Sequence, residues 1–93
     1  MKEYIDDLYE RPRDPKYAEE YLKAALEEGD EGTFLLALRD VADTRGLSQV
    51  ASEAQLNREH VYRLLSAKGN PRLTTIQALL RALGFQLGVS ALR

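Results

Sequence analysis

The stretch Asn57-Arg58-Glu59-His60-Val61-Tyr62-Arg63-Leu64-Leu65-Ser66 carries the side chains best suited to recognition chemistry. Wound as a helix, it turns Val61, Leu64 and Leu65 to one side and Arg58, Glu59, Tyr62, Arg63 and Ser66 to the other. An arginine fork matches the two acceptors on the guanine edge, and a glutamate accepts from the cytosine amine. Arg58, Glu59, Tyr62 and Arg63 are therefore expected to contact bases. Ser48, Gln49, Asn57, His60, Ser66, Lys68, Asn70 and Arg72, before, along and after this stretch, are expected to contact phosphate. Any one of these polar residues is equally well explained as ordinary surface. As a set on one face of one motif, they point to recognition.

Catalysis has no comparable constellation. His60 is the only histidine, and there is no cysteine to serve as nucleophile or zinc ligand. No serine or threonine lies in a nucleophile motif. The acidic run Glu27-Glu28-Gly29-Asp30-Glu31 lacks the spacing of a calcium loop. The chain is expected to bind rather than catalyse, with no metal, no cofactor and no small-molecule substrate.

Several elements must hold the polar face in place. Asp14-Pro15 starts a helix whose apolar residues are Tyr17, Ala18, Tyr21, Leu22, Ala25 and Leu26, with Gly29 as its stop. Asp30 caps the next, which carries Phe34, Leu35, Leu38, Val41 and Ala42 and ends at Gly46. Two short helices follow, one capped by Ser48 with Val50, Ala51 and Ala54 inward, the other capped by Asn57 and closed by Gly69. Leu56 and Val61 have the spacing of a hydrophobic staple. Thr74 and Gln77 have that of a capping box opening a helix with Ile76, Leu79, Leu80 and Leu83, ended by Gly84. Phe85-Gln86-Leu87-Gly88-Val89 alternates in the manner of a short strand. Two helices this short are not stable alone. A steep crossing at the small Ala51, completed by Val61, makes Leu47 to Leu65 a helix-turn-helix, and the fold class all-α with five helices.

Charge divides the chain. Residues 1–32 hold eleven acidic against five basic side chains, whereas residues 33–93 hold four against eight. The basic body suits phosphate and the acidic head suits a basic surface, although on charge alone a solubilising face is the simpler explanation of the head. Residues 1–13 have no clear periodicity and are expected to form an arm. At 93 residues a single domain with a modest core is expected, often helped by dimerisation. No apolar run approaches the roughly 20 residues of a membrane span, and the N-terminus is unlike a secretory signal, so a cytoplasmic protein is expected.

The segments Leu47-Ser48-Gln49-Val50-Ala51 and Leu56-Asn57-Arg58-Glu59-His60-Val61-Tyr62 resemble the DNA-binding domain of the Cro/phage-repressor (XRE) superfamily. A closer resemblance is to HigA-like antidote, or antitoxin, proteins of type II addiction modules. It is carried by Asp14-Pro15, Tyr21-Leu22, residues 24–30, residues 34–42, Arg45-Gly46-Leu47-Ser48-Gln49, residues 62–66, Gly69-Asn70-Pro71 and residues 80–84, and covers roughly residues 14–89. It implies a five-helix, lambda repressor-like domain with an extra N-terminal helix, dimerising on operator DNA to repress its own operon. It also implies a cognate toxin, commonly a small basic ribonuclease of RelE/HigB type. Residues 1–32 then become the candidate toxin-binding region and residues 33–93 the DNA-binding part, packed together as one unit. Tyr17, Glu20, Tyr21, Glu27 and Glu28 are the candidate toxin contacts, with Tyr4 and Tyr9 as further aromatic anchors. Packing onto the core is the competing explanation for Tyr17 and Tyr21.

Gln55 departs from the family, whose turn often has glycine there. A left-handed glutamine costs roughly 1 kcal/mol, so the motif is expected to survive with slightly altered turn geometry. Two other readings fit the same residues: a prophage-type transcription regulator with no toxin, and an interaction module that no longer binds DNA. Two surfaces are candidates for the dimer, the N-terminal helix and the last helix with its tail. The tail is preferred, because paired tails would space the two reading helices about 34 Å apart, one turn of DNA.

Overall fold

The computed structural model describes residues 14–28 and 30–92, and within them five helices and no strand. The arm at residues 1–13, with Tyr4 and Tyr9, and the stop at Gly29 lie outside the described residues. The helices are α1 (Pro15–Glu27), α2 (Glu31–Arg45), α3 (Leu47–Glu53), α4 (Arg58–Leu64) and α5 (Leu73–Ala82).

Three caps form where side-chain chemistry calls for them. The Asp14 carboxylate accepts from the Lys16 amide at 3.0 Å, Asp30 from the Gly32 amide at 2.9 Å, and Asn57 from the His60 amide at 3.1 Å. Two other expected caps are corrected. Gly46 alone separates α2 from α3, so it occupies the cap position with φ 103°, and Ser48 falls inside the first turn. A backbone at that angle excludes side chains, which leaves α3 without a side-chain cap. Helix α5 starts at Leu73 after an extended Arg72, so Thr74 lies too far inside to cap and no capping box forms.

Helix α2 supplies more buried side chains than any other of the five helices. It runs against α1, touches α3, and buries Phe34, Leu35, Ala37, Leu38, Val41 and Ala42. Helix α3 in turn packs on α2, α4 and α5 through Leu47, Val50 and Ala51. Leu38, Val41, Val61, Leu65 and Leu79 are fully enclosed, each worth roughly 1.5–3 kcal/mol of burial. No polar or charged residue is buried among the described residues, so the core is held by apolar contact alone. Arg45 ties the end of α2 to the end of α5 by donating to the Leu83 carbonyl at 3.2 Å, an open acceptor there.

The expected C-terminal strand is also corrected. Beyond Gly84 the chain is irregular, and Phe85 and Leu87 pack singly onto the core. Alternation reflects two anchoring side chains here, not a ladder of backbone hydrogen bonds. No other described segment is extended beside it to supply partners.

Candidate nucleic-acid interface

The crossing of α3 and α4 is set by the turn between them. The Leu56 amide donates to the Ala51 carbonyl at 2.8 Å and the Gln55 amide to the Ser52 carbonyl at 3.0 Å, the paired bonds of a Schellman motif. Such a motif needs a left-handed residue, and Gln55 supplies it with φ 60°. The same pair recurs at the end of α5, where Phe85 donates to Leu80, Gly84 to Arg81, and Gly84 has φ 92°. The turn therefore keeps the hydrogen bonds of its glycine counterpart. Leu56 and Val61 pack into one core, as a staple requires, and Ala51 is 1% exposed.

With its apolar side fixed, α4 presents its polar side outward. Asn57, Arg58, Glu59, Tyr62 and Arg63 line a single surface depression, bringing the four expected base contacts together. His60 is exposed beside them. Some of the expected phosphate contacts already have partners. The Asn57 carbonyl oxygen is committed to capping, Ser66 donates to the Arg63 carbonyl at 3.1 Å, and Gln49 donates to Glu53 at 3.3 Å. Ser48, Lys68, Asn70 and Arg72 are exposed.

Lys68, Asn70 and Arg72 sit in a connection that cannot drift. A β-carbon on Gly69 would lie 1.9 Å from the Leu64 carbonyl oxygen, and one on Gly32 would lie 2.8 Å from the Ala67 carbonyl oxygen. The segment after α4 is thus pressed between the end of α4 and the start of α2.

Sequence reasoning missed Arg39. Its guanidinium carbon stands 3.8 Å from the centre of the Tyr62 ring, and its Nη2 donates to the Tyr62 hydroxyl. In sequence Arg39 is one more polar residue on an amphipathic helix, 23 positions from its partner.

Glu20 and Glu27 on α1 and Glu28 just after it are exposed, and Tyr17 is 39% exposed. Tyr21 is half-buried and donates to the Asp40 carboxylate at 2.9 Å, while its ring stacks on Tyr17 at 6.2 Å between centroids. Burial first, then the Asp40 bond and charge, push its hydroxyl up to about 12. Packing thus accounts for Tyr21, which joins α1 to α2.

The model of the family described as "probable addiction module antidote protein" matches residues 6–91. The chain belongs to that family. It is also 38% identical over 73 residues to an uncharacterized protein of Haemophilus influenzae Rd, covering 78% of this chain and 75% of that protein. No solved structure gives a significant match. The antidote-family match runs through both the acidic helix α1 and the α3–α4 pair. No helix among the described residues is long and apolar enough to cross a membrane.

Proposed function

We propose that this antidote-family chain is a DNA-binding antitoxin. In this reading α3, the Gln55 turn and α4 are a repressor-type helix-turn-helix of the XRE class. A homodimer binds an operator with two such motifs and represses its own operon. The N-terminal acidic region binds and blocks a small basic ribonuclease of RelE/HigB type. The observation that carries the reading is the gathering of Asn57, Arg58, Glu59, Tyr62 and Arg63 in one depression on the outward side of α4, in a chain of an antidote family.

Each part has a role. Arg58 and Arg63 offer forked donors to guanine, Glu59 accepts from cytosine, and the start of α3 with Lys68, Asn70 and Arg72 anchors the backbone. Helix α1 offers exposed Glu20, Glu27 and Glu28 with Tyr17 to a basic partner. Beside them, Leu22, Leu26, Phe34, Leu80, Phe85 and Leu87 border an apolar groove of about 250 Å³ with Glu19 and Lys23 at its rim. Such a groove between charged edges fits an aromatic or aliphatic anchor from the partner. The protein acts by occupying surfaces, in the cytoplasm, without catalysis.

Co-expression with the adjacent reading frame, followed by affinity purification of this chain, tests the toxin half. Recovery of a small basic protein in fixed stoichiometry supports it. DNA binding without such a partner would leave a transcription regulator and remove the antitoxin.

A further inference from the structure

The Arg39–Tyr62 pair spans two helices and borders the depression on α4. Arg39 is half-buried on α2, the longest of the five helices, and its guanidinium sits over the Tyr62 ring with Nη2 reaching the hydroxyl. Tyr62 is 46% exposed, so an unsupported ring at that position would sample several rotamers. Stacking under a cation holds it in one.

The direction of the hydrogen bond carries the chemistry. A guanidinium has five N–H donors and no acceptor, so the Tyr62 hydroxyl must accept from Arg39. The tyrosine keeps its own O–H proton to donate to another acceptor. Arg39 has further N–H groups next to it. The pair offers several N–H donors, one O–H donor and one positive charge, which fits an anionic oxygen better than a base amine.

We infer that Arg39 and Tyr62 together form a DNA phosphate clamp beside the base-reading residues of α4, with Arg39 supplying the charge and Tyr62 an O–H donor. This rests on the DNA-binding reading above, and moves Tyr62 from base reading to backbone contact.

The test uses the full-length protein, a labelled duplex from upstream of its own coding sequence, and a scrambled duplex of equal composition. Arg39→Met, Tyr62→Phe and the double variant are titrated by fluorescence anisotropy across a salt series. Arg39→Met is expected to weaken both duplexes by the same factor, roughly tenfold, leaving their ratio unchanged. The slope of log affinity on log salt falls by about 1. Arg39→Lys, which keeps the charge and loses the flat stack, restores the slope but only part of the affinity. Tyr62→Phe is expected to lose less than Arg39→Met, and the double variant no more than Arg39→Met alone, because the two act as one unit.

A changed ratio between the duplexes with an unchanged salt slope would overturn the clamp in favour of base reading. Additive losses would overturn the composite. If Arg39→Met fails to fold by circular dichroism, Tyr62→Phe decides: it removes one oxygen, and no loss on either duplex overturns the proposal. A wild-type protein that binds neither duplex sinks the DNA-binding reading itself, a result distinct from all of these.

Discussion

Replacing Gln55 by glycine should stabilise the protein, and the size of the effect follows from the turn. Gln55 holds φ 60°, where a side chain costs about 1–2 kcal/mol. Its exposed side chain makes no hydrogen bond among the described residues, so little is lost on removing it. Glycine relieves the strain but gives the unfolded chain more freedom, an opposing cost of about 0.4–1 kcal/mol. The difference is a gain of about 0–1.6 kcal/mol, with a midpoint near about 0.8 kcal/mol. At about 2.1 cal/mol/K per residue, the 93-residue chain unfolds with an entropy near 0.2 kcal/mol/K, so the midpoint gain raises Tm by about 4 °C. Thermal melts followed by circular dichroism at one fixed protein concentration resolve that shift. Gln55→Ala is the control, since alanine keeps the β-carbon and should gain nothing. A fall in Tm for Gln55→Gly would refute the strain argument and assign the glutamine side chain a stabilising contact, and an equal rise for Gln55→Ala would refute it by placing the cost in the side chain beyond the β-carbon.

Other expectations follow from single contacts. Gly69→Ala drives a β-carbon into the Leu64 carbonyl, a backbone atom that cannot rotate away, and should cost about 1–3 kcal/mol, seen as a lower urea midpoint with unchanged slope. Tyr21→Phe should remove the bond to Asp40 at a cost of about 1 kcal/mol near neutral pH. Because burial and the Asp40 carboxylate push the Tyr21 hydroxyl up from 10.0 to about 12, its contribution is complete below pH 10 and lost as pH rises toward 12. Wild-type stability should therefore fall more steeply than that of Tyr21→Phe across that interval, and parallel profiles would contradict the assignment.

Much of the fold was legible because its signals are local. Asp14, Asp30 and Asn57 cap within three residues of themselves, and the inward positions of α1, α2 and α5 follow one helical period. Errors arose where a neighbour outranked a local signal. Ser48 resembles a cap, but α3 begins directly after Gly46 and absorbs it into the helix. Thr74 and Gln77 resemble a box, but the extended Arg72 starts α5 earlier. The Phe85–Val89 alternation records which side chains reach the core, and core contact does not require strand pairing.

The site divided in the same way. The outward grouping of Arg58, Glu59, Tyr62 and Arg63 is a property of one helix and could be read from spacing. Arg39 over Tyr62 depends on how α2 meets α4, which no short window contains. Tyr21 was ambiguous for the same reason, since its partner Asp40 lies 19 positions away on another helix.

Operator binding by the α4 face is the central claim, and one titration tests it most directly. Wild-type protein and the Arg58→Ala, Arg63→Ala double variant are titrated onto the duplex upstream of the coding sequence, with the scrambled duplex as reference. At about 1–3 kcal/mol per base-contacting arginine, the double variant should lose roughly 30-fold or more on the upstream duplex and far less on the scrambled one. Wild-type affinity no greater for the upstream duplex than for the scrambled one, or a double variant that keeps the preference intact, would contradict the account.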